Sequence, residues 1–324
     1  MDDVVLGTMN ICYPYSSNID NKEEEYFNIL QTYCLEVGEK RAILDTAYYY
    51  GNTKTEEKLG ELIPKLPFVP KIASKVNPWF ENDFNTGLLG QLSRTPMLHQ
   101  FQTSLSNLKI ETMETLFLHC PDYNTPIDET IDTIQYLWRN EKINSWGMSN
   151  YSLSQVKDII NLCEKKQFEP PLIYQGMYNV LCRKVEEIQP LLDEYNMFFW
   201  GYNPLAGGLL TGKYMTSQEN EKPNRFSNNK IYQTIFWKQN IIKQLEVFYP
   251  SSKEQAIDYA FSWLLNHSMI ESPNNKLVLG VSTEKQLKEN IMSIHKNKKM
   301  RDDQLCRLNE LYSNIEADSP NYYY

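Results

Sequence analysis

The sequence has no apolar run near the 18 residues that a membrane-spanning helix requires, and its mean hydropathy is -0.53. It lacks a basic leader: Met1-Asp2-Asp3-Val4 opens the chain with acids, so no secretory signal is expected and the compartment is read as the cytoplasm. It also lacks a block of Lys and Arg. With 32 basic residues against 41 acidic ones, the net charge of -9 argues against nucleic acid as a partner. The single basic stretch, Lys296 to Arg301, is short and reads as a solvated loop between helices. None of the six cysteines forms a Cys-x-x-Cys pair, and several lie in apolar segments, which points to free thiols in a reducing compartment. The four histidines, His99, His119, His267 and His295, have no zinc-ligand spacing, so no metal is expected. No Gly-x-Gly-x-x-Gly follows an apolar run, which argues against a Rossmann domain.

What the chain does have is an alternation of short apolar runs and amphipathic stretches along its whole length. Strands are predicted at Val4–Gly7, Ile43–Ala47, Lys71–Val76, Thr115–His119, Ser145–Met148, Leu172–Gln175, Met197–Tyr202 and Lys276–Gly280. Helices are predicted at 23–37, 54–66, 95–110, 126–141, 154–166, 185–195, 235–248, 252–265, 283–294 and 302–315, with Pro190 a weak point in the sixth. Eight strand–helix repeats in 324 residues with no composition break predict a single-domain α/β protein, a (β/α)8 TIM barrel over residues 1–324. Residues 203–232, rich in Gly, Asn and Lys, are expected to form a long functional loop covering the site.

In such a barrel the active site lies at the carboxyl ends of the strands, so the polar residue closing each apolar run is informative. Those residues are Asp45 with Tyr50 just beyond, then Lys75, His119, Ser149 with Asn150, Gln175 and Tyr202. Singly, Asp45 also reads as a helix cap, Lys75 as a side chain snorkelling to the rim, and His119 as a satisfied core histidine. Together an acid, a phenol, an amine and an imidazole on three consecutive strands make a proton-donating set. A free phenol has a pKa of about 10; a neighbouring ammonium lowers it, and a carboxylate holds that ammonium in place. An imidazole opposite orients a carbonyl oxygen. Such a set gives a proton to an oxygen whose carbon receives hydride, and the hydride has to come from a nicotinamide.

Asp-Thr-Ala-Tyr-Tyr-Tyr-Gly at 45–51, Lys-Ile-Ala-Ser-Lys at 71–75 and Leu-His-Cys-Pro-Asp at 118–122 resemble the motifs of the aldo-keto reductase family. Tyr-Gln-Gly-Met-Tyr-Asn at 174–179, Tyr-Asn-Pro-Leu-Ala-Gly-Gly-Leu-Leu-Thr-Gly-Lys-Tyr at 202–214 and Pro-Asn-Tyr at 320–322 are similar to its aflatoxin-aldehyde reductase branch. The resemblance implies an NADPH-dependent reductase of aldehydes and reactive dicarbonyls, with Asp45, Tyr50, Lys75 and His119 catalytic and Tyr50 the proton donor. It implies that Ser149, Asn150 and Gln175 hold the carboxamide and that Tyr202 stacks on the nicotinamide. Asn203, Leu205, Gly207, Leu209 and Lys213 would wrap the pyrophosphate, and Arg225, Gly280, Ser282, Thr283, Gln286 and Asn290 would hold the adenosine end. Gly207-Gly208 also reads as a plain turn, and Gln286 and Asn290 as a helix face. Tyr48, Trp79, Phe80, Tyr123 and the terminal tyrosines are expected to make an aromatic substrate pocket. Tyr324 stands where the branch has an arginine suited to a substrate carboxylate, so carboxylate-bearing aldehydes are not expected to be favoured. The branch also implies a homodimer. Two other readings stay open: a nucleotide-binding regulatory subunit resembling potassium-channel beta subunits, and a steroid or sugar reductase within the same family.

Overall fold

The computed structural model describes residues 4–12, 22–82, 87–212, 230–248, 253–296 and 298–324. Eight parallel strands close a barrel in chain order: β1 (Val4–Gly7), β2 (Ile43–Asp45), β3 (Lys71–Val76), β4 (Met113–Leu118), β5 (Ile143–Ser149), β6 (Ile173–Met177), β7 (Phe198–Tyr202) and β8 (Lys276–Gly280), with β8 pairing back onto β1. Around it lie α1 (Lys22–Val37), α2 (Lys54–Leu62), α3 (Arg94–Leu108), α4 (Ile127–Arg139), α5 (Leu153–Lys166) and α6 (Gln189–Glu194). The later helices are α7 (Lys230–Phe236), α8 (Gln239–Phe248), α9 (Lys253–Asn266), α10 (Glu284–Lys296) and α11 (Asp302–Ile315). The helices present apolar stripes inward: in α4, Ile131, Ile134 and Leu137 recur every three residues and are buried. The start of α5 is fixed by a capping box in which Ser152 and Gln155 satisfy each other's backbone N–H groups. Among the described residues no helix is long and apolar enough to cross a membrane.

Side chains alternate across each strand, so every second residue points into the barrel. Val5, Ile43, Ala73, Phe117, Ile173, Trp200 and Val278 form a separate buried cluster, contributed by seven of the eight strands. β5 supplies Gly147 at this level, because any side chain there would collide: a Cβ would lie 2.3 Å from the Ile173 carbonyl oxygen and 2.7 Å from the Phe117 ring. Two residues further along each strand is the next inward layer: Gly7, Asp45, Lys75, His119, Ser149, Gln175, Tyr202 and Gly280. The apolar layer thus forms a floor, and the layer above it carries the polar groups.

The expected barrel is present, with local differences. β2 stops at Asp45 rather than Ala47: Thr46 N–H makes the last ladder bond, to the Ala73 carbonyl at 2.8 Å, and the chain then turns at Tyr48–Tyr50. The helix expected over 54–66 is α-helical only to Leu62 and tightens to a 3-10 turn at Ile63–Lys65, where Pro64 removes a donor. The 185–195 helix divides at its proline: a 3-10 segment, Lys184–Ile188, precedes the short α6. The loop expected over 203–232 contains a 3-10 turn at Ala206–Thr211 and ends early, as α7 begins at Lys230.

Candidate active site

The site is built on the second layer. Lys75, 1% exposed, donates to both carboxylate oxygens of Asp45 at 2.7 Å and to the Thr46 carbonyl at 2.8 Å. All three ammonium protons therefore have acceptors, which is what a buried lysine requires. Burial pulls the Lys75 ammonium below its usual pKa, and the Asp45 carboxylate pushes it back up. Gln175 donates its amide to the same Asp45 at 2.9 Å, tying β6 to β2 across the barrel. The ammonium lies 5.4 Å from the centre of the Tyr50 ring and 5.8 Å from that of Phe117 in the floor. Tyr50 reaches this position from the turn after β2, a tight one closed by Gly51 at φ 58°.

His119 stands across from Tyr50, with ring centres 5.8 Å apart and nearly perpendicular at 80°. Burial, and then the Lys75 ammonium, hold its imidazole well below the usual 6.5, so it is neutral at physiological pH. Its Nδ1 is buried without a hydrogen-bond partner, as are Asn203 Nδ2 and Thr46 Oγ1. Orphaned buried polar atoms are rare in folded proteins, and the His119 and Asn203 atoms, on residues that follow β4 and β7, suit a bound polar ligand.

The loops after β5 and β7 begin alike, with an asparagine in the left-handed region: Asn150 at φ 64° and Asn203 at φ 63°. Asn150 donates to the His119 carbonyl at 2.9 Å and to Ser149 Oγ at 3.0 Å, and accepts from the Tyr202 hydroxyl at 2.8 Å. Asn203 accepts from Gly207 N–H at 2.7 Å, folding the turn in which Gly207 and Gly208 both have positive φ. Leu205 supplies the carbonyl that closes this turn, while Leu209 sends its side chain into the core and leaves only its backbone for a ligand.

At the far end, Gly280 closes β8 and Ser282 and Thr283 lead into α10. Gln286 accepts from Ser282 N–H at 2.9 Å, and Thr283 Oγ1 accepts from Gln286 N–H at 3.2 Å. Asn290 is buried one turn further on. Lys213 and Arg225 lie outside the described residues.

Of the expected pocket residues, Trp79 packs edge-on to His119 at 5.2 Å, while Phe80 and Tyr123 sit on the rim, 42% and 65% exposed. Tyr48 is half-buried, its N–H held by the Lys75 carbonyl at 3.0 Å. Tyr123 donates to the Tyr324 carbonyl, and Tyr324 N–H donates to the Asn150 carbonyl at 3.2 Å, so the terminal tyrosine reaches the site. Sequence reasoning passed over Tyr49, whose ring lies 5.0 Å from Trp79 and 6.4 Å from His119. In a Tyr-Tyr-Tyr run nothing in the sequence says which ring faces inward. It also passed over Glu56, fully buried behind β3, where Ser74 and Ser104 donate to its two oxygens at 2.5 and 2.7 Å. A glutamate in a helix's first turn reads as a surface residue.

Among the described residues no group of His, Cys, Asp or Glu is disposed to hold a metal ion. The profile of the Aldo/keto reductase family matches residues 3–313. Human aflatoxin B1 aldehyde reductase member 2 is 32% identical over 297 residues, which cover 86% of this chain and 80% of that protein. An aldo-keto reductase of Pseudocercospora fijiensis is 29% identical over 293 residues, covering 86% and 96%. Among solved structures, the glycerol dehydrogenase of Gluconobacter oxydans superposes with a TM-score of 0.69 at 22% identity, covering 98% of this chain and 92% of that one. An aldo/keto reductase of Klebsiella pneumoniae, solved with NADP and acetate, gives 0.66 at 17% identity, covering 99% and 93%. The chain belongs to the aldo/keto reductase family.

Proposed function

We propose that this member of the aldo/keto reductase family reduces aldehydes and reactive dicarbonyls to alcohols with NADPH, and that Tyr50 is its proton donor. The observation that carries the reading is the buried Lys75 ammonium, clamped by both oxygens of Asp45 and lying 5.4 Å from the Tyr50 ring. When bound, the nicotinamide supplies the hydride that no side chain can. Lys75 stabilises the phenolate that Tyr50 becomes as it gives up its proton. Asp45 keeps the lysine charged and fixed despite its burial. Neutral His119 orients the carbonyl oxygen by hydrogen bonding, without competing with Tyr50 as the acid.

The residues suit a nicotinamide nucleotide. Ser149, Asn150 and Gln175 offer amide and hydroxyl groups for a carboxamide, and the hydroxyl bond to Asn150 fixes the Tyr202 ring for stacking. The orphaned Asn203 amide and the Gly207–Gly208 turn suit a pyrophosphate, with Leu205 and Leu209 beside them, and Lys213 is assigned to the same group by the resemblance alone. Gly280, Ser282, Thr283, Gln286 and Asn290 would complete the adenosine end, to which the resemblance also assigns Arg225. The names of the relatives, aflatoxin B1 aldehyde reductases, support a bulky carbonyl substrate, as do the Tyr49, Trp79 and Phe80 rings at the mouth. The homodimer implied by the branch belongs to the same reading, and sedimentation as a monomer contradicts it.

The test is NADPH oxidation by the purified chain with an aromatic aldehyde, an ortho-quinone and succinic semialdehyde. The aromatic aldehyde is expected to have the highest kcat/KM. Turnover confined to small polar aldehydes overturns the pocket reading. Tight NADPH binding with no carbonyl reduced favours the regulatory-subunit reading instead.

A further inference from the structure

We propose that Glu25, in the first turn of α1, is a cofactor-specificity residue that competes with the 2′-phosphate of NADPH for the amino end of α10. The inference rests on the reductase reading above, in which the adenosine end of the nucleotide lies at Ser282 and Thr283.

The amino end of a helix exposes unpaired N–H groups and a positive partial charge, and an incoming phosphate uses both. At the start of α10 three N–H groups are already engaged. Glu284 N–H donates to the Glu25 carboxylate, Ser282 N–H to Gln286 at 2.9 Å, and Gln286 N–H to Thr283 Oγ1 at 3.2 Å. Glu25 comes from a different helix, so its carboxylate is an anion delivered to the position a phosphate would take. The carboxylate of Glu284 itself points along the helices, accepting from the Thr32 hydroxyl at 2.7 Å, two turns beyond Glu25 on α1, and pairing with Lys288 at 2.7 Å. Hydrogen bonds from Lys288 and Thr32 hold that carboxyl below its usual pKa, so it is charged at neutral pH. The nearby Lys285 reaches Glu289 at 3.9 Å. The described charges at this helix end therefore have no excess of cations to meet a phosphate.

A phosphomonoester arrives with a charge of about -1.5 to -2 at neutral pH. To bond the Glu284 N–H it must displace Glu25 and then stay close to that carboxylate. NADH brings a 2′-hydroxyl instead, which can donate to a carboxylate, and acids at this part of the ribose favour the unphosphorylated cofactor. Glu25 thus narrows the preference for NADPH over NADH through repulsion of the former.

The experiment is equilibrium titration of NADPH and of NADH by nucleotide fluorescence, at low ionic strength, with the full chain and two variants. In Glu25→Gln, NADPH affinity is expected to rise roughly three- to tenfold while NADH affinity stays level or falls. Glu36→Gln removes the same charge from the exposed far end of α1 and is expected to change neither. A structural role for Glu25 in joining the two helices would move both nucleotides together, and that result overturns the inference. So does an equal response to Glu36→Gln, or weaker NADPH binding in Glu25→Gln. If Glu25→Gln fails to fold, Glu284→Gln serves, with the NADPH-to-NADH ratio expected to shift the same way by less. A wild-type chain that binds neither nucleotide removes the reductase reading and this inference together.

Discussion

Two buried carboxylates show how position decides a residue's work. Asp45 accepts three hydrogen bonds, two from the Lys75 ammonium and one from the Gln175 amide, and remains the anchor of the site. Glu56, behind the same strand, receives only two serine hydroxyls, and burial pushes its carboxyl up to about 7. The folded state then holds a proton between about pH 4.5 and 7 that the unfolded chain has released, so stability falls as pH rises through that window. Glu56→Gln removes this dependence. Relative to wild type, the variant is expected to be more stable at pH 8 than at pH 5 by about 1–3 kcal/mol. Thermal melts at the two pH values check it, and a difference independent of pH contradicts it. Glu56 was not legible in the sequence, because its first-turn position matches that of any solvent-facing acid. Asp45, Lys75 and His119 were legible, because each breaks an apolar run at its end.

At the scale of elements, the barrel depends on close approaches that the sequence marks only as glycines. α2 crosses α3 so tightly that a Cβ on Gly60 would lie 1.9 Å from the Asn107 carbonyl oxygen, a backbone atom that cannot swing away. Gly60→Ala is expected to destabilise the protein by about 1–3 kcal/mol, read as a lowered denaturation midpoint with an unchanged slope. Unchanged stability would mean that the two helices have room to part. The strands were legible from their apolar runs, to within about two residues in most cases. Boundaries slipped where the chain leaves the sheet before its apolar run is over, as at Thr46 and Ala47. The 185–195 segment failed as one helix for a related reason: its 3.6-residue periodicity persists across Pro190, but its hydrogen bonding does not.

The whole molecule places chemistry by counting in twos. Val5, Ile43, Ala73, Phe117, Ile173, Trp200 and Val278 form the floor, and the residue two further along each of these strands faces the mouth. Apart from Gly7 and Gly280, those residues are Asp45, Lys75, His119, Gln175 and Tyr202, with Ser149 their counterpart above Gly147, which is why strand ends picked out of the sequence converge in space. Residues on loops did not follow this rule. Tyr49 and Tyr324 reach the site through turns and a terminal segment whose course no periodicity encodes. The central claim is that this convergence makes Tyr50 an acid. It is tested most directly by single-turnover reduction of an aromatic aldehyde by NADPH-loaded Tyr50→Phe, with NADPH affinity measured on the same sample. The expected result is a rate lowered by roughly 10²–10⁴-fold with NADPH affinity within about twofold of wild type. A rate near that of wild type would mean that another group gives the proton, and would contradict the account.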